Sequence, residues 1–344
     1  MINEHTINTA RLTLHYLEAG VEHRHKNTLL LIHGWPQTAY CWEKMLPTLA
    51  QHFHVIAPDL RGFGGSDKSG LPLSRAQLAA DMVSLLDALQ LQCVHVAGHD
   101  WGGMVALKMA FDFPERIQQL ALLDCSTTHW PHWAAHGLWA KVPGWAENFF
   151  ANCHQDFIRW CFTGTAASYP ADIISPFLSQ AMPGLNWCEP EALNHYLANM
   201  AQASTQAASV SLYRDALPFY RQNDAGQWQP MSGDECQAIW QHPGDPFKHP
   251  DYRKALCFAP EDLGKRVIQP TLYVYTPMLQ PKGFDADGLP IVNYQPTGDV
   301  FSDSLAAPFQ QLQCTGMRCG HFIPEEQPSL LTEHLLTFFD RHAL

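Results

Sequence analysis

Short continuous apolar runs alternate with longer amphipathic stretches through the first third of the chain. "TLLLIHG" and "VHVAGHD" are apolar throughout and end at glycine-rich turns, the pattern of strands buried on both faces of a parallel sheet. "RLTLHYLEA" alternates apolar and polar positions instead, as a half-buried strand does. Between them, "SRAQLAADMVSLLDALQ" places apolar residues at helical spacing behind a serine suited to cap a helix. "MVALKMAFDF" is a second helix and "IQQLALLDC" resumes the strand pattern. This strand-helix-strand repetition predicts an α/β fold, with a mostly parallel central sheet and helices on both faces.

The middle of the chain changes character. Residues 127–266 are rich in Trp, Phe, Ala, Asn and Gln, with helical segments and proline-containing breaks. "GDECQAIWQHPGDPFKHPDYRKA" reads as an irregular surface excursion. The strand pattern returns at "TLYVYT" and "FQQLQCTG", and "SLLTEHLLTFFDRH" forms an amphipathic last helix. The economical division is a core in two parts, residues 1–126 and 267–344, interrupted by a mainly helical cap at 127–266. Trp130, Trp133, Trp139 and Trp145 make the cap entrance aromatic, with a structural role favoured over base stacking.

Composition narrows the function. Apolar residues make up 46% of the chain and charged residues 16%, which describes a well-buried globular protein. Lys and Arg number 21 against 33 Asp and Glu, for a formal net charge of −12. That field repels nucleic acid and anionic membranes, so neither is an expected partner. "MINEHTINTARLTLHYLEAG" has no apolar h-region, and no run is long enough to span a bilayer. The ten cysteines show no C-x-x-C pair, consistent with reduced thiols in a cytoplasmic protein. The 19 histidines are dispersed, with His23/His25 and His129/His132 among the closest pairs, so no metal is expected. "RGFGGSDKSG" nearly spells a phosphate loop, but Asp67 stands where a glycine is required. "GHDWGG" lacks dinucleotide-loop spacing, so no cofactor is implied. A small-molecule substrate is the expected partner, and a homodimer stays open.

Three loops carry candidate chemistry. Gly98-His99-Asp100-Trp101-Gly102-Gly103 is a strand-to-helix turn with a carboxylate at its centre. His33-Gly34-Trp35-Pro36 follows another strand, and "CGHFIPEEQP" places His321 after the last one. In open parallel sheets, chemistry gathers at the carboxyl ends of the strands, where all three loops fall. Together with "DLRGFGGSD" (Asp59 to Asp67), these pieces resemble the α/β-hydrolase superfamily, in particular its aspartate-nucleophile branch of epoxide hydrolases and hydrolytic dehalogenases. The resemblance covers nearly all of both core segments and the cap only loosely.

Asp100 occupies the position where many hydrolases of this fold carry a serine. A serine must lose its proton to a base before attacking, whereas an aspartate, with an ordinary pKa of about 3.9, is already ionised at neutral pH. A carboxylate is a poor nucleophile toward amides and esters but adequate for displacement at an activated sp³ carbon. The resemblance therefore implies an alkyl-enzyme ester on Asp100, with His321 deprotonating the water that hydrolyses it. It also implies that the N–H groups of Trp35 and Trp101 hold the oxyanion. The alternative for Asp100 is a simple helix N-cap.

The base needs a carboxylate to hold its tautomer. After "TLYVYT" no acid comes until Asp285 and Asp287, a departure from many members of the fold. The resemblance offers Asp124, at the end of "LALLD", which is favoured over Asp285, Asp287, Asp299 and Asp303. In the cap, "SVSLYRDAL" resembles the segment carrying a ring-opening tyrosine, which makes Tyr213 the proton donor. "WAENFFANCHQDF" falls where a second donor is found and offers Asn148 or His154, with Asn148 preferred.

Leaving-group chemistry separates the branches. An alkoxide wants an O–H donor, whereas a halide wants N–H groups. Tyr213 favours an epoxide; Trp101 with Asn148 would serve a halide. Haloacetate dehalogenases grip a substrate carboxylate with arginines beside the nucleophile, and those positions here are Trp101 and Met104. A neutral, fairly apolar epoxide is the expected substrate, with dehalogenation as the alternative. A catalytically silent binding protein of the same fold is the third reading, disfavoured because ligand binding requires neither Asp100 nor His321.

Overall fold

A computed structural model describes the chain except residues 25, 131–135, 164–186, 241–255, 277–302, 306 and 341–344. Eight strands form the central sheet: β1 Asn3–Asn8, β2 Thr13–Ala19, β3 Thr28–Ile32, β4 His54–Pro58, β5 Val94–His99, β6 Ile117–Leu123, β11 Thr271–Tyr275 and β12 Leu312–Gly316. Their order is β1-β2-β4-β3-β5-β6-β11-β12. The first two neighbouring pairs, β1–β2 and β2–β4, are antiparallel and the other five are parallel, giving the mostly parallel sheet read from the sequence.

The continuous apolar runs are explained by two-sided burial. Leu30 and Ile32 of β3, Val96 of β5, and Leu120 and Leu122 of β6 pack on one face. Leu29, Leu31, Ala97, Ala121 and Leu123 pack on the other. Because successive strand residues point to opposite faces, both sides need covering. The longer helices α1 (Arg75–Ala88) and α2 (Trp101–Asp112) supply Leu78, Met82, Val105 and Met109 to the first face. Leu331, Leu335 and Phe339 of α8 (Pro328–Asp340) cover the second, with Trp42 and Leu46. Ser74 caps α1, accepting the Gln77 N–H at 3.1 Å.

The cap region carries helices α3 (Trp145–Asn152), α4 (His154–Thr163), α5 (Pro190–Met200), α6 (Ala203–Arg214) and α7 (Gly233–Trp240). It also holds a four-stranded antiparallel sheet ordered β7-β10-β8-β9, from His129–Trp130, Leu256–Cys257, Tyr220–Gln222 and Trp228–Pro230. These short strands stand beside the helices of an insert expected to be mainly helical. The β8–β9 hairpin turns at Asn223, whose Oδ1 accepts the N–H groups of Ala225 and Gln227. Gly233–Trp240, the first part of the expected irregular excursion, is helical. Trp130 is buried against Phe219 and Phe258, while Trp145 is half exposed. Trp133 and the Trp139 side chain lie outside the described residues.

None of the ten cysteines is paired in a disulfide. Among the described residues, no helix is long and apolar enough to cross a membrane.

Candidate active site

Five strand ends converge on one place: those of β3, β5, β6, β11 and β12. Asp100 sits at the turn from β5 into α2 with φ +52° and ψ −119°. A non-glycine residue in that region costs roughly 1–3 kcal/mol, so the surroundings must impose it. They do so by close approach. A Cβ on Gly98 would lie 2.2 Å from the Gly102 carbonyl oxygen, and one on Gly102 would lie 2.1 Å from that of Ile32. The spacing G-x-D-x-G is thus the packing requirement of the turn.

Asp100 occupies the N-cap position of α2, yet its side chain makes no cap hydrogen bond. The Trp35 backbone N–H donates to its Oδ1 at 2.8 Å, and Oδ2 faces His321 Nε2 at 3.4 Å. Its side chain stays 19% exposed, within reach of a small molecule. Burial alone would raise its pKa, but the hydrogen bond and charge of His321 and the Trp101 N–H hold it below the usual carboxylate range. The carboxylate is ionised and aimed at the imidazole.

The histidine is held from its other nitrogen. His321 Nδ1 lies 2.7 Å from Asp124 Oδ2. Asp124 is fully buried and leaves β6 with φ +44°, a left-handed turn that directs its carboxylate toward β12. Its Oδ1 accepts the Thr276 N–H at 2.8 Å, and the Thr276 hydroxyl lies 3.0 Å from both oxygens. Asp285, Asp287 and Asp299 lie outside the described residues. Among the described residues, the acid bonded to His321 Nδ1 is Asp124, not Asp303.

Burial pushes the His321 pKa down, but the hydrogen bonds and charges of Asp100 and Asp124 win and raise it to about 10. This ion-pair contribution to stability is fully present below the ordinary histidine pKa of about 6.5 and is lost as pH rises through the folded value. In Asp100→Asn one of the two carboxylates is gone, so His321 is expected to titrate lower than in the wild type. A histidine NMR titration checks this; an unmoved His321 would contradict the pairing.

The strand-end loops are knitted to one another. His33 Nε2 accepts the Leu60 N–H at 2.9 Å, which leaves Nδ1–H to donate to the Gly34 carbonyl. Asp59 accepts the N–H groups of Ala39 and Gly65, each at 2.8 Å, and bonds His15 Nδ1 at 2.7 Å. The DLRGFGGSD stretch therefore braces the HGWP loop that presents the Trp35 N–H.

The cap closes over this centre through α6. Tyr213 is buried with its ring perpendicular to Trp35 (centroids 5.4 Å apart) and to Trp101 (5.3 Å apart). Burial, then the nearby Asp100 charge, raises its pKa well above 10, so the phenol keeps its proton at neutral pH. One turn earlier, Ser209 Oγ accepts the Trp35 indole N–H at 3.0 Å. The Trp101 indole nitrogen is buried without a formed hydrogen bond among the described residues, although it lies near enough to the Tyr213 oxygen to ease its ionisation slightly.

Asn148 does not join the cluster. It lies on the exposed face of α3, where its Oδ1 accepts from Asn152 at 2.8 Å. Phe150, two positions on, turns inward and packs against Trp35 at 6.2 Å. His154 is turned to the Phe150 carbonyl. Thr276, Ser209, His99 and Glu326 were not singled out by the sequence, although each falls within a stretch already quoted. Among the described residues, no group of three or more His, Cys, Asp or Glu side chains could hold a metal ion.

Comparison with known proteins agrees with this fold. Residues 27–159 match the family profile described as alpha/beta hydrolase fold. The chain is 42% identical to the soluble epoxide hydrolase of Corynebacterium sp. (strain C12) over 111 residues, 32% of this chain and 37% of that protein. It is 31% identical to a fluoroacetate dehalogenase of Burkholderia sp over 200 residues, 54% of this chain and 61% of that one. The matched stretches thus span less than two thirds of either relative. The solved structure of epoxide hydrolase CorEH without ligand superposes with a TM-score of 0.69 at 21% identity, covering 99% of both chains. Its strand order, its strand-end loops and its whole length laid on that architecture give the chain the α/β-hydrolase fold.

Proposed function

We propose that this protein is a hydrolase that opens an epoxide to a vicinal diol through a covalent ester on Asp100. One observation carries the reading: an ionised Asp100, facing His321, lies close to a buried, protonated Tyr213 held between two indoles. Asp100 Oδ2 attacks the epoxide carbon as its C–O bond breaks, and the electron pair passes to the ring oxygen. That oxygen takes the Tyr213 proton. Alkylation cancels the Asp100 charge, which removes one of the influences holding His321 protonated and lets it serve as a base. His321 then takes a proton from water while the hydroxide oxygen adds to the Asp100 carbonyl carbon. The oxyanion rests on the Trp35 and Trp101 N–H groups, and its collapse expels the diol oxygen, which takes the proton from His321. Asp100 is left as the protonated acid and gives its proton up to solvent, and a proton from solvent restores Tyr213.

Dehalogenation is the second reading, and the Trp101 indole N–H is the observation in its favour. A halide needs a second N–H, however, and the Trp35 indole is engaged by Ser209. An anionic haloacid fits less well again. Among the described residues, the cation paired with Asp100 is His321 and no arginine or lysine joins it.

A single turnover in ¹⁸O-water tests the proposal, with styrene oxide and a bromoalkane offered separately. Label in the Asp100 peptide with diol release supports it. Halide release from the bromoalkane alone supports dehalogenation, and no label with either substrate overturns the covalent route. Tyr213→Phe adds a second check: ring opening should slow about 10²–10⁴-fold, the range for loss of a positioned proton donor. Displacement of bromide, which needs no proton, should change little.

A further inference from the structure

His321 lies outside regular structure, between the end of β12 at Gly316 and the short helix Ile323–Glu326. Its flanking peptide groups therefore have no ladder partners and must find others. Glu326 Oε2 accepts the Gly320 N–H at 2.6 Å, and Oε1 accepts the Phe322 N–H at 2.9 Å. The His321 carbonyl accepts from His99 Nε2 at 2.7 Å and from the Ile323 N–H at 2.9 Å. The peptide units on both sides of the imidazole are thus each fastened to a side chain.

We propose that Glu326 is a positioning residue that, with His99, fixes the backbone of His321 at the distance from Asp100 that the second step requires. The inference rests on the reaction proposed above. Asp124 orients the imidazole ring but does not hold the backbone from which it projects. Glu326 grips that backbone with two charge-assisted hydrogen bonds. Glycine at position 320 makes room for the grip, since a Cβ there would lie 2.6 Å from Glu326 Oε1. His99 is fully buried and remains neutral, with its pKa lowered to about 4 by burial and then by the charge of His321, so it stays a donor at Nε2. It immediately precedes the nucleophile, and its ring lies 4.9 Å from that of His321. Base and nucleophile are therefore tied to one turn.

Because His321 acts in the hydrolytic step, the two half-reactions separate this role from general stability. With styrene oxide as probe, Glu326→Gln should alkylate Asp100 at the wild-type rate. It should then hydrolyse the adduct about 10- to 100-fold more slowly, the scale of a small misplacement of a reacting group. Adduct decay at the wild-type rate would overturn the proposal. Gly320→Ala is the independent variant, because its methyl group displaces the carboxylate without removing it. The same selective slowing is expected there, and unchanged decay in a folded Gly320→Ala protein would count equally against it. Loss of fold in both variants, read by circular dichroism, would assign Glu326 to stability alone and also overturn it. The wild-type adduct is the control: its absence removes the reaction and this proposal together, whereas its presence with unaltered decay in E326Q removes only the role of Glu326.

Discussion

Given styrene oxide, a His321→Gln enzyme is expected to stop at alkylated Asp100. The nucleophile does not need the histidine to remove a proton, since an aspartate is ordinarily ionised at neutral pH and the Trp35 and Trp101 N–H groups still favour its charge when His321 is gone. The first step should therefore proceed, and the intact protein should gain the mass of the substrate. Water attack has no such independence. The glutamine amide cannot take the proton that His321 Nε2 would accept, and hydrolysis should slow on the order of 10²–10⁴-fold, the usual worth of general base catalysis. Intact-protein mass spectrometry over time reads both steps. A variant that turns over at the wild-type rate with no accumulated adduct would falsify the assignment of His321 as the base.

The second large effect is expected at Asp124. Its two oxygens have distinct tasks, one accepting the Thr276 N–H and the other facing His321 Nδ1. In Asp124→Asn the amide oxygen keeps the Thr276 N–H, which leaves the NH₂ group pointed at Nδ1. The imidazole must then carry its proton on Nε2, the nitrogen that should receive one from water. The fold is expected to survive, because the replacement has the same shape. Adduct hydrolysis is expected to fall by roughly 10⁴-fold, as when a triad carboxylate is replaced by its amide elsewhere. Single-turnover decay of the ester measures it. Full activity in Asp124→Asn would move the acid to the segment containing Asp285, Asp287 and Asp299.

These expectations depend differently on sequence and on structure. The strands could be read directly because a segment buried on two faces must be apolar at every position, as "TLLLI" of β3 is. β1 was not anticipated, because as a half-exposed edge strand it alternates through Asn, Glu, His and Thr and leaves no apolar signature. The β8–β9 hairpin escaped for a related reason: each of its strands has only three residues, too short for a period to register. Asn148 was placed in the site by the resemblance of its segment to the one that carries a second cap donor in epoxide hydrolases. Helical geometry turned it outward and presented Phe150 instead, since residues two apart on a helix do not share a face.

The sequence alone determined the α/β layering and the carboxylate at the elbow. It also determined that His33, Asp100, Asp124 and His321 each follow a strand, because periodicity and turn chemistry are local properties. Only the tertiary structure decided which acid meets the histidine, that Ser209 occupies the Trp35 indole, and that Glu326 and His99 secure the loop of His321. Those contacts depend on strand order and on which face each helix presents. They join residues that are distant in the chain, and the spacing of residue types along it carries no record of such an approach.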